Sequence, residues 1–160
     1  MKISNISQNG IELIAQFEGF RSKPYLCPAK VPTIGYGTTI YPAYIIGHQG
    51  TKQKVTLNDP PITKELAIQI LREDVKHYAQ AVDSMTVDTI NQNQFDALTS
   101  FAYNLGIEAL RKSTLLKKVN LNPNDKSIAK EFAKWINAAG KPLPGLIKRR
   151  QSESNLYFKI

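Results

Sequence analysis

Proline is the strongest constraint on this chain. Six of its nine prolines, Pro24, Pro28, Pro32, Pro42, Pro60 and Pro61, fall inside one stretch of about 40 residues. Proline has no backbone N–H and its ring blocks the preceding helical turn, so no long helix runs through residues 21–60. Between the prolines lie short β-prone pieces, TIGYGTTIY and KVTL. They read as a small, irregular β subdomain, too small to stand alone.

The flanking sequence is helical. Ile11, Ile14 and Ala15 recur at helical spacing, and Gly19 closes a helix over about Ile11–Glu18. In ITKELAIQILREDVKHYAQAVDSM, Thr63 is placed to cap a helix whose stripe is Ala67, Ile70, Leu71, Val75, Tyr78 and Val82. Four shorter helices follow. NQFDALTSFAYNLG buries Phe95, Leu98 and Ala102 and stops at Gly106. Ser113 caps STLLKKVN. SIAKEFAKWINAAG packs Ala129, Phe132, Ala133 and Ile136 and ends at Gly140, and PGLIKRRQSESNLYF is the last helix. The expected class is α+β, predominantly α, in one domain of residues 1–160. Its lobes span about 1–62 and 85–160, joined by a helix over about 63–84. Two lobes joined by a helix usually leave a cleft in which a polymer can lie.

Composition removes several function classes. Hydrophobic residues at 42% and charged residues at 21% describe a globular chain, not a disordered one. One cysteine excludes an internal disulfide. No apolar run approaches about 18 residues, the length of a membrane span. MKISNISQNGIELIAQ lacks the apolar core of a signal peptide, so cytoplasmic accumulation is expected. His48 and His77 stand apart without a clustered ligand set, so neither a metal nor another cofactor is expected. The net charge of +8 draws the chain to polyanions without choosing among nucleic acid, anionic lipid and acidic wall polymers.

The chemistry concentrates in EGFRSKPYLCPAKVPTIGYG, residues 18–37. Glu18 falls in the same helical stripe as Ile11, Ile14 and Ala15. A carboxylate on that inward face is costly if ionised, and burial favours the protonated form that a general acid needs. A frayed helix end, or a structural pair with Arg21 or a distant Arg, is the other reading. Taken singly, Cys27 is at home as a small buried hydrophobe and Thr33 as a strand residue.

Together these residues resemble the signature of the T4-type phage lysozymes, glycoside hydrolase family 24: Glu, eight residues, Asp or Cys, five residues, Thr, then Ile-Gly-x-Gly. Glu18, Cys27 and Thr33 meet each spacing. ITKELAIQILREDV, FAYNLG, STLLKKVN and GLIKRRQSESNLY resemble later family blocks in order, so the similarity covers roughly residues 10–158. The resemblance implies a lysozyme-like fold and an endolysin. That enzyme hydrolyses the β-1,4 bond between N-acetylmuramic acid and N-acetylglucosamine in peptidoglycan and causes host lysis at phage release. It implies Glu18 as the proton donor to the leaving oxygen, with Cys27 and Thr33 positioning water on the opposite face of the sugar. Within FAYNLG, Asn104 is expected to bind substrate. An endolysin without a signal peptide needs a separate membrane-permeabilising protein of the holin type, and a monomer is expected.

Three departures from the family pattern stand out. Cys27 stands where the commoner residue is Asp. An ordinary thiol, with a pKa of about 8.5, is a poor base at neutral pH unless Arg21, Lys23 or Lys30 lowers it. A thiolate there acts as base, as water positioner, or as a nucleophile giving a covalent intermediate and retention. Thr38 follows GYG where many relatives have His, and residues 41–61 match the family poorly. The last helix clusters Lys148, Arg149 and Arg150 with Leu146, Ile147, Leu156, Tyr157 and Phe158. It reads either as a weak anionic-membrane contact or as a helix packed on its lobe with solvated charges and an Arg–Glu153 pair. Two rival classes are disfavoured. A glycan-binding module has no need of Glu18, and in SIAKEFAKWINAAGKPLPG Pro142 and Pro144 block the recognition helix of a nucleic-acid binder.

Overall fold

The computed structural model describes residues 3–45 and 51–160. The chain divides into two compact units, one of Met1–Phe17 with Val75–Ile160 and one of Glu18–Asp74. The first helix, α1 (Gln8–Glu18), thus belongs almost wholly with the later helices. Among the described residues no helix is long and apolar enough to cross a membrane.

The Glu18–Asp74 unit is the proline-rich one. Its strands β1 (Arg21–Leu26) and β2 (Pro32–Gly35) form an antiparallel hairpin, and β3 (Ile40–Tyr41) pairs with β4 (Gln53–Lys54). In the first hairpin Arg21 faces Gly35 and Tyr25 faces Thr33, so β1 carries two extra residues across a bulge containing Pro24. A bulge suits proline because the residues there make no ladder bonds. A small core of Ile34, Tyr41, Ile45, Val55 and Ile70 lies beneath the strands.

The long helix α2 (Lys64–Met85) starts as the sequence predicts, with Thr63 Oγ1 accepting from Leu66 N at 3.1 Å. Its stripe of Ala67, Ile70, Leu71, Val75 and Val82 is fully buried, and Tyr78 is half-buried.

The helical unit continues with α3 (Gln92–Leu105), α4 (Ile107–Lys112), α5 (Thr114–Leu121), α6 (Ile128–Ala133) and α7 (Pro144–Tyr157). Asn91 and Gln94 close a reciprocal capping box on α3, and Ser113 caps α5 through Leu116 N at 3.0 Å. The core gathers Phe95, Leu98, Phe101 and Phe132 with Tyr157. Phe101, Phe132 and Tyr157 meet edge to face at 5.7–5.9 Å. Burying each phenylalanine contributes about 1.5–3 kcal/mol. Asp96 of α3, wholly buried, accepts from Ser7 N (2.9 Å) and Gln92 Nε2 (2.8 Å) and from the Ser7 hydroxyl, fixing the start of α1. Gly10 lies against it, where a Cβ would sit 2.8 Å from Asp96 Cγ.

The sequence overextends one helix. The segment expected to be helical through Gly140 leaves the helix after Ala133, and Ala133 itself is exposed. It then forms a tight hairpin, β5 (Asn137–Ala138) with β6 (Lys141–Pro142). The turn residues Ala139 (φ 50°) and Gly140 (φ 77°) both have positive φ, as a two-residue hairpin turn requires.

The last helix also differs from expectation. Arg149 and Arg150 are not solvated; they are buried around Glu153. Glu153 Oε2 meets Arg150 Nε at 2.8 Å, and its Oε1 accepts from Ser100 Oγ (2.7 Å), Arg150 Nη2 (3.0 Å) and Arg149 Nε (3.3 Å). Two cations and a hydroxyl around one acid offset part of the cost of desolvation, which still holds the Glu153 carboxyl above its usual range. Of the three basic residues only Lys148 is exposed.

Candidate active site

Glu18, Cys27 and Thr33 all lie in the Glu18–Asp74 unit. Glu18 is the last residue of α1 and is half-buried. Its Oε2 faces the Gly-Tyr-Gly turn that follows β2, 3.8 Å from where a Cβ on Gly37 would stand. That turn is narrow, since Ile34 and Thr38 exchange both backbone hydrogen bonds at 2.9 Å. Gly37 has φ +84°, which a residue with a side chain rarely adopts, so the carboxylate has bare backbone beside it. Tyr36 between the glycines is buried, with its ring centroid 5.5 Å from that of Phe20.

Cys27 opens the turn at the other end of the hairpin. Its N–H donates to Val31 O at 3.1 Å and its carbonyl accepts from Lys30 N at 2.7 Å. Thr33, paired with Tyr25 across the strands and buried, donates its hydroxyl to the same Val31 carbonyl at 2.9 Å. Val31 O therefore ties the cysteine backbone and the threonine side chain to one point. The side chains of Cys27 and Thr33 are themselves within hydrogen-bonding reach.

The thiol is held below its usual range. Hydrogen bonding from the Val31 backbone is the largest cause. Burial opposes it, and the Ala29 backbone, the Thr33 hydroxyl and the residue's own backbone add to the lowering. None of these causes is a cation. Arg21 lies over the Tyr25 ring, 4.4 Å from its centroid. The loop backbone, rather than Arg21, Lys23 or Lys30, is what lowers the thiol. Sequence reading missed Val31 because a backbone contribution leaves no mark in residue type.

Asn104 lies in the helical unit. Its Oδ1 accepts from Arg150 Nη2 at 2.7 Å, which ties it to the buried Glu153 cluster. His48 falls outside the described residues, as does part of the poorly matched stretch 41–61.

The family model described as Phage lysozyme matches residues 15–153. The endolysin of Bacillus phage B103 is 43% identical over 154 residues, covering 96% of this chain but 54% of its own length, so the chain spans about half of that relative. The endolysin of Acyrthosiphon pisum secondary endosymbiont phage 1 is 38% identical over 157 residues, covering 96% of this chain and 97% of that one. Among solved structures, a variant of P22 lysozyme superposes with a TM-score of 0.83 at 33% identity, over 98% of this chain and 100% of that one. The muramidase domain of SpmX from Asticaccaulis excentricus does so with a TM-score of 0.78, also at 33%, over 99% and 100%. With its lysozyme-like α+β fold and a family match running from within α1 to within α7, the chain belongs to the phage lysozyme family.

Proposed function

We propose that this protein is an endolysin that hydrolyses the β-1,4 bond between N-acetylmuramic acid and N-acetylglucosamine of peptidoglycan, releasing phage by host lysis. The observation that carries the reading is the thiol of Cys27, held low by backbone and Thr33 hydrogen bonds on the hairpin whose far turn faces Glu18. The similarity to endolysins along nearly the whole chain supports it.

In this mechanism Glu18, as the carboxylic acid, gives its proton to the glycosidic oxygen as the C1–O bond breaks and the sugar gains oxocarbenium character. A water adds to C1 from the opposite face, and the Cys27 thiolate takes its proton. Glu18 ends as carboxylate and Cys27 as thiol, and exchange with solvent resets both. Thr33 has one hydroxyl proton. It serves Val31 O while the sulfur is a thiol and turns to the sulfur when the sulfur is a thiolate. The outcome is inversion. The same lowered thiol also suits direct attack on C1, which gives a thioglycosyl intermediate and net retention. NMR of the freshly released sugar separates the two: the α-anomer supports water attack and the β-anomer the covalent route. Digested walls should carry new reducing ends of muramic acid and no newly freed amino groups, and the opposite pattern refutes the glycosidase reading.

Asn104 is a further substrate contact in this proposal, oriented by Arg150. Residues 1–160 act as one catalytic domain and as a monomer. The protein accumulates in the host cytoplasm and reaches the wall through a holin-type partner.

A further inference from the structure

The helical unit holds a pocket of about 550 Å³, bordered by the start of α3, the segment leading into α6 and the end of α7. That volume falls in the range of a small-ligand site, about 300–1,000 Å³. Every described residue lining it belongs to the helical unit, so Glu18, Cys27 and Thr33 have no part in it.

Its apolar wall is aromatic. Tyr157 is buried and Phe158 half-buried beside it, with ring centroids 5.0 Å apart. The Tyr157 hydroxyl donates to Pro123 O at 2.9 Å, and Gln94 Nε2 donates to the same carbonyl at 3.0 Å. Gln94 also closes the capping box with Asn91. Those bonds fix the wall and engage both polar side chains.

Other polar groups around the pocket are unspent. Asn91 uses its Oδ1 as the helix cap, and its side-chain NH2 has no partner among the described residues. The side-chain amide of Asn124 has none at either atom. Lys126 and Lys159 are exposed and have no ion-pair partner among the described residues. Asp125, next to Lys126 in the chain, accepts from Ser127 N (2.8 Å) and Ser127 Oγ (2.9 Å) and does not line the pocket.

This combination selects a ligand. A pyranose lays the C–H bonds of one face on an aromatic ring and offers hydroxyl and acetamide groups at its edge to side-chain amides. A hydrocarbon leaves the amides covered and unpaired, an inorganic anion leaves the rings unused, and a neutral sugar leaves the lysines unused. An N-acetylated sugar that carries a carboxylate answers all three. We infer that this pocket is a second glycan site. In it an N-acetylmuramic acid residue of uncut peptidoglycan stacks on Phe158, hydrogen-bonds to Asn91 and Asn124, and places its lactyl or peptide carboxylate at Lys126 and Lys159. The identity of the ligand rests on the peptidoglycan reading above; the pocket and its unspent groups do not. Holding the wall at a second point raises the effective concentration of glycan and slows loss of the enzyme between cuts.

The test is an NMR titration of isotope-labelled protein carrying Glu18→Gln, so that no glycan is cut. The ligands are soluble N-acetylglucosaminyl-N-acetylmuramyl dipeptide and, separately, N,N′-diacetylchitobiose and inorganic phosphate. The muramyl ligand should give saturable shifts in the side-chain amide signals of Asn91 and Asn124 and in the Phe158 N–H. Chitobiose should shift the same signals with an affinity about fourfold to 25-fold weaker, because two exposed charge pairs of about twofold to fivefold each are missing. Lys126→Gln with Lys159→Gln should bring the muramyl ligand down to the chitobiose affinity and leave chitobiose unchanged. Phe158→Leu should weaken both sugars, and Asn124→Ala, at an exposed position, gives the same reading if the leucine disturbs the core. Pocket signals that do not move, equal affinities for the two sugars, a lysine variant that binds the muramyl ligand as wild type does, or phosphate reproducing the whole pattern would each overturn the inference. The glycosidase reading stands or falls separately, on release of muramic acid reducing ends by the protein with Glu18 intact.

Discussion

Replacing Glu153 with leucine should be among the most damaging single changes outside the candidate active site. The substitution removes a carboxylate that meets two guanidinium groups, which are 4% and 1% exposed. Arg149 keeps the Ser100 carbonyl at 3.4 Å and the Phe17 ring at 5.6 Å. What remains for Arg150 is Asn104 Oδ1 at 2.7 Å and the Phe101 ring at 5.0 Å. Neither contact of Arg150 carries a compensating charge. Breaking a buried pair by removing one partner costs about 3–5 kcal/mol. For a chain of this size each kcal/mol lowers the melting temperature by about 2–4 °C, so a fall on the order of 10 °C is expected. Circular-dichroism or calorimetric melts measure it. Glu108→Ala provides the contrast. Its partner Arg111 lies 3.1 Å away, but the two side chains are 65% and 55% exposed, and exposed pairs contribute about 0–1 kcal/mol. Adding Arg150→Met to Glu153→Leu should recover part of the loss by removing one stranded charge. If Glu153→Leu melts with Glu108→Ala, the arginines are solvated and the buried-cluster account is wrong.

Two further predictions concern Cys27. If Cys27 acts as the family's Asp does, Cys27→Asp should preserve lysis and extend it to lower pH, because a carboxylate ionises near pH 3.9; Cys27→Ala should lose at least about tenfold in rate, roughly 1.4 kcal/mol. Wild-type rates for Cys27→Ala across the pH range would make Cys27 a packing residue. Alkylation of Cys27 by iodoacetamide should reach its pH midpoint below that of an ordinary thiol, about 8.5. Thr33→Val removes a donor to the thiolate, raises the thiol pKa and so should move that midpoint upward. A midpoint unmoved by Thr33→Val would remove Thr33 from the account.

Much of the fold is legible because its signals are local. The caps at Thr63 and Ser113, the stops at Gly19 and Gly106 and the apolar stripe of α2 each depend on residues within a turn or two of one another. The spacing of Glu18, Cys27 and Thr33 is likewise local, although only the hairpin register, with its bulge at Pro24, brings Cys27 and Thr33 into hydrogen-bonding reach. Failures arise where the deciding partner is distant or leaves no mark in residue type. Arg149 and Arg150 read as solvated because Ser100 and Asn104, which help bury them, lie on another helix about 50 positions away. Asp96 meets Ser7 across 89 positions. The turn at Ala139–Gly140 is hidden because alanine is the best helix former, yet here it sits at positive φ.

The most direct test of the account is wall lysis by Glu18→Gln. Gln keeps the size of the side chain and has no acidic proton to give the leaving oxygen. On purified peptidoglycan, wild type should clear the suspension and generate reducing ends of muramic acid. Glu18→Gln should clear it no faster than buffer while melting at the wild-type temperature. A Glu18→Gln variant that lyses walls at a rate near wild type, or wild-type products ending in anhydromuramic acid, would contradict the account.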